Sequence, residues 1–226
     1  MKKIIMLFIL LIFTVFLVLF SKTYLRKNGL LRFHDWKNVD NLMIVAHPDD
    51  ETLWGSEELI NNKYLVVCIT CGTNKKREKE IEQALKISKD RLIVLGKPDK
   101  VKGKRSDWKK YKKQIELELN YVMKKKNWNN IVTHNPEGEY GHIHHKMTNK
   151  LVTKVYNKNH NGTLKYFGKY YSKKRIDQNK GAREIPEDIY DKKMEMIDVY
   201  KSQSFIKSMF NQMNKYENLV NAEDWK

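Results

Sequence analysis

The apolar positions fall into two regimes. Residues 4–20 form one apolar run broken only by Thr14. Beyond residue 40 the apolar positions come in short blocks separated by helical stripes. The blocks 42–46, 64–70, 91–95 and 130–133 are short and rich in Val, Ile and Leu. They read as strands buried on both faces in a parallel sheet. Between them, 56–61 reads as helix. Ile81, Ala84, Leu85 and Ser88 share one helix face from about Asn74, and Ile115, Leu119 and Val122 mark a helix over 107–126. Met147, Leu151 and Val155 mark another. Residues 164–170 read as a last strand, 172–186 as a loose loop and 187–217 as helix. The alternation predicts the α/β class: a Rossmann-like, mostly parallel sheet with helices on both faces, preceded by one N-terminal transmembrane helix.

The run at 4–20 spans about 25 Å as a helix, enough for a thin bilayer with snorkelling flanks. No small-residue cleavage pattern follows it, so an uncleaved anchor is expected over 1–21. A basic juxtamembrane segment follows over 22–38, with Lys22, Arg26, Lys27 and Arg32, and then a folded domain over 39–226. Lys2 and Lys3 precede the run and more basic residues follow it, which places that domain in the cytoplasm under the positive-inside rule. The net charge is +17, from 44 basic and 27 acidic residues; it suits an anionic partner, whether lipid headgroup, nucleic acid or polyanion, or equally a lysine-rich surface that selects no partner. With an anchor beside it, membrane lipid is the natural one. No nucleic-acid-binding signature accompanies the charge, so nucleic acid is not expected. Two cysteines cannot staple a secreted scaffold. Cys68 reads as a buried strand residue, and the Cys68–Cys71 spacing suits a reducing compartment.

Ligands of a parallel α/β sheet bind beyond the carboxyl ends of its strands. The first strand runs into His47-Pro48-Asp49-Asp50-Glu51, and the fourth into His134-Asn135-Pro136-Glu137-Gly138-Glu139-Tyr140-Gly141-His142-Ile143-His144-His145. Adjacent carboxylates at a buried strand exit repel unless a cation or a proton relieves them. Histidine nitrogens with a carboxylate oxygen suit a zinc-like ion that keeps one position open. His47 and Asp50, three apart, can point at one centre, and one histidine of the second loop completes three ligands. Asp49 or Glu51 is left to take a proton from water. His34 and His160 read as structural or solvated. His134, at a strand end, fits either reading.

Ala46-His47-Pro48-Asp49-Asp50-Glu51 resembles the signature of the PIG-L/LmbE family of metal-dependent de-N-acetylases. Tyr140-Gly141-His142-Ile143-His144-His145 is similar to its second motif, G-H-x-D-H. Thr70-Cys71-Gly72 with Arg77 and Glu80 resembles its T-x-G and R-x-x-E region, and Lys193, Met196, Tyr200, Ser202 and Gln203 its K-x-x-M-x-x-Y-x-S-Q helix. The likeness runs from about residue 40 to 205. It implies that His47, Asp50 and His145 bind Zn2+ or another divalent metal and that Asp49 is the general base. It implies that His142 is catalytic beside the oxyanion, while Arg77 and Tyr140 hold the substrate. The implied reaction removes acetyl from N-acetylglucosamine on a lipid, inositol or other aglycone, as in GPI anchor biosynthesis. One residue departs from the pattern. His144 replaces the usual aspartate, which is expected to leave His142 without its orienting carboxylate and to reduce activity. Two other readings are a zinc amide hydrolase for another N-acetyl substrate, and a membrane-tethered polyanion-binding module with weakened catalysis.

Overall fold

The structure, a computed structural model, describes residues 2–27, 37–179 and 183–226. The chain divides into two units, Met1–His34 and Asp35–Lys226. In the first, α1 (Lys2–Lys27) carries the N-terminal apolar run, and its side chains are described over 4–19, all of them exposed. That stretch measures about 24 Å at 1.5 Å per residue, against about 30 Å of hydrocarbon core. Among the described residues, no helix is long and apolar enough to cross a membrane. This overturns the expected single-pass anchor over 1–21 and the cytoplasmic placement derived from it. The side chains of Lys22, Arg26 and Lys27, and all of Arg32 and His34, lie outside the described residues.

The second unit runs β1 (Asn41–Val45), α2 (Asp50–Asn61), β2 (Tyr64–Thr70), α3 (Lys75–Ser88) and β3 (Arg91–Lys97). A small hairpin of β4 (Lys100–Val101) and β5 (Lys104–Arg105) follows, then α4 (Lys112–Met123), β6 (Asn130–Thr133), α5 (Ile143–Asn159) and β7 (Thr163–Phe167). The chain ends with α6 (Glu187–Val199), α7 (Ile206–Met209) and β8 (Leu219–Asn221). The main sheet has the order β3-β2-β1-β6-β7-β8, parallel except for β8. The α/β class and the mostly parallel sheet agree with the apolar blocks of the sequence.

The sheet is buried on both sides because every residue of β1 and β2 is buried. Met43, Val45, Val66, Cys68 and Val132 form one core with residues of α2, α3 and α6. The alternate positions Leu42, Ile44, Leu65, Val67 and Ile131 point to the other face, where α4 and α5 pack on each other. Strand order reverses between β1 and β6, the two strands that lead into the histidine- and carboxylate-rich loops.

Several boundaries differ from the apolar pattern. α2 starts at Asp50, not at Ser56, because the backbone carbonyl of Asp49 accepts the N–H groups of Thr52 and Leu53 at 3.1 and 2.9 Å. α4 starts at Lys112, since Trp108 has φ +51° and breaks any helix from 107. The helix expected over 187–217 ends at Val199, because the next residues turn inward: the Tyr200 hydroxyl donates to Glu51, and Ser202 donates twice to Glu80. β7 stops at Phe167, and β8 adds an antiparallel edge strand that the pattern did not reveal. Within the stretch expected to be loose, Lys173–Gln178 forms a short 3-10 helix, and 180–182 lie outside the described residues.

Candidate metal and catalytic centre

Past β1 the chain turns sharply. Asp49 takes φ +116°, a backbone state that is costly for any residue with a Cβ and is concentrated at functional sites. The turn brings the Asp50 carboxylate back onto the chain, where Oδ2 accepts the His47 N–H at 2.7 Å. Asp50 and Glu51 occupy the first turn of α2, where the positive end of the helix favours negative charge. Glu51 is spent on structure: its carboxylate accepts from Tyr200, Thr52 and the Asp49 N–H. Of the two acids left open as a base, Asp49 is therefore the one free of such duty.

Asp50 stands between two of the expected ligands. Its Oδ2 lies 3.3 Å from His47 Nδ1 and its Oδ1 3.1 Å from His145 Nε2. His47, His142 and His145 also bring one nitrogen each within 4.8 Å of one another, as do Asp50, His134 and His145 their ligand atoms. His145 Nε2 is buried and faces Asp50 Oδ1 at 3.1 Å without the alignment of a good hydrogen bond. A fully buried imidazole nitrogen beside a carboxylate oxygen and a second imidazole fits a divalent cation. The donor set of nitrogen and carboxylate oxygen suits zinc and its neighbours.

Glu139 is the residue that the sequence reading left without a role. Its Oε2 lies 2.5 Å from His145 Nδ1 and 3.0 Å from His134 Nδ1, and its Oε1 accepts the Asn135 N–H at 2.9 Å. A carboxylate behind a histidine fixes which nitrogen faces a metal. Here it leaves Nε2 of His145 as the atom that could face an ion. Burial opposes ionisation of Glu139, but His134 and His145 bring its carboxyl down to about 2. His134 itself is absorbed by structure. Its Nδ1 donates to Glu139 while its Nε2 accepts the Ala46 N–H at 3.0 Å, so no lone pair is left for a metal. Burial also disfavours a charged His145, but Asp50 and Glu139 on its two sides push it up to about 10. Burial likewise works against charge on Asp50, yet His145 holds it well below the usual carboxylate range.

His142 caps α5. Its Nδ1 accepts the His144 N–H at 3.2 Å, so the neutral ring carries its proton on Nε2. Burial, with His145 and His47 nearby, lowers its pKa to about 3, which keeps the ring neutral at physiological pH. The His144 side chain does not serve His142. It turns instead to His47, with Nδ1 3.0 Å from His47 Nε2, and to the Ser106 carbonyl, 2.7 Å from its Nε2. The expected link between position 144 and His142 thus reduces to one backbone hydrogen bond.

Asp49 faces Arg77. The guanidinium donates Nη2 to Asp49 Oδ2 at 3.2 Å and to the Pro48 carbonyl, while its Nη1 is buried without a partner among the described residues. Burial raises Asp49 well above the usual carboxylate range; Arg77 opposes the rise, and Asp50 and Glu51 add to it. His47, Asp49, Asp50, Arg77, Tyr140 and His142 line one cavity of about 530 Å³. His145 is fully buried and does not line it; its ring lies 4.6 Å from that of His142. Tyr140 reaches His142 and His145 at 5.8 and 5.4 Å between ring centres, and burial pushes its phenol pKa upward. The cavity also carries apolar Phe205, Ile206, Met209 and Phe210 and basic Lys100 and Arg105. Both cysteines are free; Cys68 is buried and burial pushes its thiol up.

Residues 42–156 match the family model described as PIG-L: GlcNAc-PI de-N-acetylase. A curated relative, uncharacterized protein L374 of Acanthamoeba polyphaga mimivirus, is 30% identical; the alignment covers 60% of this chain and 66% of that protein. Among solved structures, GalB, the 4-carboxy-2-hydroxymuconate hydratase from Pseudomonas putida KT2440, superposes with a TM-score of 0.56. The superposition covers 77% of this chain and 84% of GalB at 14% identity, a likeness of fold alone.

Proposed function

Because the chain belongs to the PIG-L (GlcNAc-PI de-N-acetylase) family, we propose that it is a zinc-dependent hydrolase that removes acetyl from an N-acetylglucosamine unit carried on a lipid. The observation that carries the reading is Asp50, held between His47 Nδ1 and the buried His145 Nε2 and lining one cavity with a buried carboxylate, Asp49, of raised pKa.

His47 Nδ1, Asp50 and His145 Nε2 would hold the ion, and when bound it supplies Lewis acidity toward water and the amide carbonyl. Asp49 takes the proton of the attacking water. Its raised pKa makes it a stronger base than an ordinary carboxylate, and Arg77, donating to its Oδ2, opposes the rise and aims it. The neutral His142 offers its Nε2–H to the oxygen that gains charge as the carbonyl carbon becomes tetrahedral. When the C–N bond breaks, the proton held by Asp49 passes to the departing amine. Acetate and a free amino sugar result. Arg77 Nη1 and Tyr140 are the donors left for the sugar.

The lipid-linked aglycone is supported by the cavity mouth. Phe205 and Met209 are about half exposed there, 55% and 49%, although both are large and apolar. Lys100 and Arg105 share the cavity with them. An apolar rim with cations suits a substrate that joins a chain to an anionic linker.

The test is acetate release from three substrates in parallel: an N-acetylglucosaminyl phospholipid, free N-acetylglucosamine and an acetylated non-sugar amine. The account expects the first to be fastest. Equal rates on the acetylated amine would favour a general amide hydrolase, and bound metal without acetate release from any of them would favour a polyanion-binding module.

A further inference from the structure

His144 is placed by three contacts that have nothing to do with His142. Its ring stacks on Trp108, 4.4 Å between centres and 9° from parallel. Its Nε2 lies 2.7 Å from the carbonyl oxygen of Ser106, and its Nδ1 lies 3.0 Å from His47 Nε2. Trp108 and Ser106 are themselves fixed, since Trp108 Nε1 donates to the Pro98 carbonyl at 2.9 Å and the Ser106 N–H to the Asp99 carbonyl at 2.9 Å. Both His144 and Trp108 are fully buried.

A carbonyl oxygen only accepts, so His144 Nε2 carries a hydrogen. The Nδ1 of a neutral His144 is then a lone pair. His47 Nε2 faces that lone pair at hydrogen-bond distance and must supply the hydrogen. In a neutral His47 the remaining lone pair falls on Nδ1, the nitrogen 3.3 Å from Asp50 Oδ2. Asp99 Oδ1 lies 3.4 Å from both His47 Nε2 and His144 Nδ1, too far for a good hydrogen bond, and Arg105 already pairs with it. Without an acceptor at position 144, the Asp50 carboxylate would draw the His47 proton to Nδ1 and close the lone pair.

We infer that His144 is a positioning residue: bonded to the Ser106 carbonyl, it sets the tautomer of His47 so that Nδ1 is the nitrogen presented to the metal. The metal part of this inference rests on the function proposed above; the tautomer part stands on donors and acceptors alone.

The test is two-bond 1H–15N correlation spectroscopy of the ring-labelled, metal-free protein, followed by zinc affinity from chelator competition. Wild-type His47 and His144 are both expected as neutral Nε2–H tautomers. In His144→Leu, His47 should shift toward Nδ1–H, and zinc affinity should fall about 10- to 100-fold. His144→Gln keeps an acceptor oxygen and should restore most of both, which a merely space-filling role would not require. If His144→Leu does not fold, the wild-type spectrum and His144→Gln carry the test. Wild-type His47 as Nδ1–H, or an unchanged tautomer in His144→Leu, would overturn the inference. So would a second zinc ion held by His47, Asp99 and His144, because that ion needs His47 Nε2 without its proton. A wild-type protein with Nε2–H His47 that binds no zinc would defeat the metal reading and leave the tautomer assignment supported.

Discussion

His145 Nδ1 and Glu139 Oε2 are 2.5 Å apart, and the same carboxylate oxygen lies 3.0 Å from His134 Nδ1. One buried carboxylate thus orients two buried histidines, one that faces the centre through Nε2 and one that ties the end of β1 through the Ala46 N–H. The strand exit and the orientation of the His145 ring are set by a single side chain.

Glu139→Gln keeps the shape of that side chain and removes its charge. Outer partners of metal ligands are worth about 10- to 100-fold in affinity, so zinc affinity should fall by that factor while the site remains. Chelator competition on the folded variant measures it. Unchanged affinity would mean that His145 needs no partner at Nδ1.

Proton release gives a second check. His145 is pushed up to about 10 by Asp50 and Glu139, so metal binding at pH 7.5 must expel about one proton. Zinc affinity should rise with pH toward 10. The stability of the metal-free protein should do the opposite. A histidine whose folded pKa is raised contributes fully below its unfolded value of about 6.5, and the contribution is lost as pH rises through about 10. Calorimetry in buffers of different ionisation enthalpy counts the proton; a count of zero contradicts the assignment.

Asp49→Asn should retain zinc and lose about 100- to 10,000-fold in kcat, the usual worth of a general base. Arg77→Met bears on the same group. Arg77 lowers the Asp49 pKa against its burial, so removing the cation should move the acid limb of kcat/KM to higher pH. A limb that stays in place would show that Asp49 does not set it.

The sheet was legible because strands buried on both faces need no alternation, and 64–70 matches β2 residue for residue. His47, Asp49 and Asp50 were legible for a similar reason: two adjacent acids at a buried strand end have few peaceful explanations. Glu139 was harder, since it shares its loop with Glu137, an exposed residue of the same type. The available signal was the need of two buried histidines for an acceptor. Ser106 and Asp99 carried no signal, because their contacts with His144 and His47 cross between separate loops. The start of α2 was hidden because polar motif residues form its first turn. The C-terminal segment misled because its apolar stripe continues past Tyr200, whose hydroxyl is drawn to Glu51.

A structural prediction concerns Glu217. It accepts from Ser56, from the Glu57 N–H and from Lys193 Nζ at 2.7 Å, and the Lys193–Glu217 pair is almost wholly buried. Removing one partner of a buried pair leaves the other charge stranded, at a cost of about 3–5 kcal/mol. Glu217→Ala should therefore lower Tm far more than Asp198→Ala, which breaks an exposed pair with Lys207. Thermal unfolding of both variants decides it; equal shifts would mean that the buried pair holds nothing.

The most direct test of the whole account is acetate release from an N-acetylglucosaminyl phospholipid by protein holding one zinc ion per chain. The account predicts turnover that a chelator stops, that zinc restores, and that Asp49→Asn lacks with its metal still bound. Turnover unaffected by complete metal removal, or zinc-loaded protein that releases no acetate from any N-acetylglucosamine substrate, would contradict it.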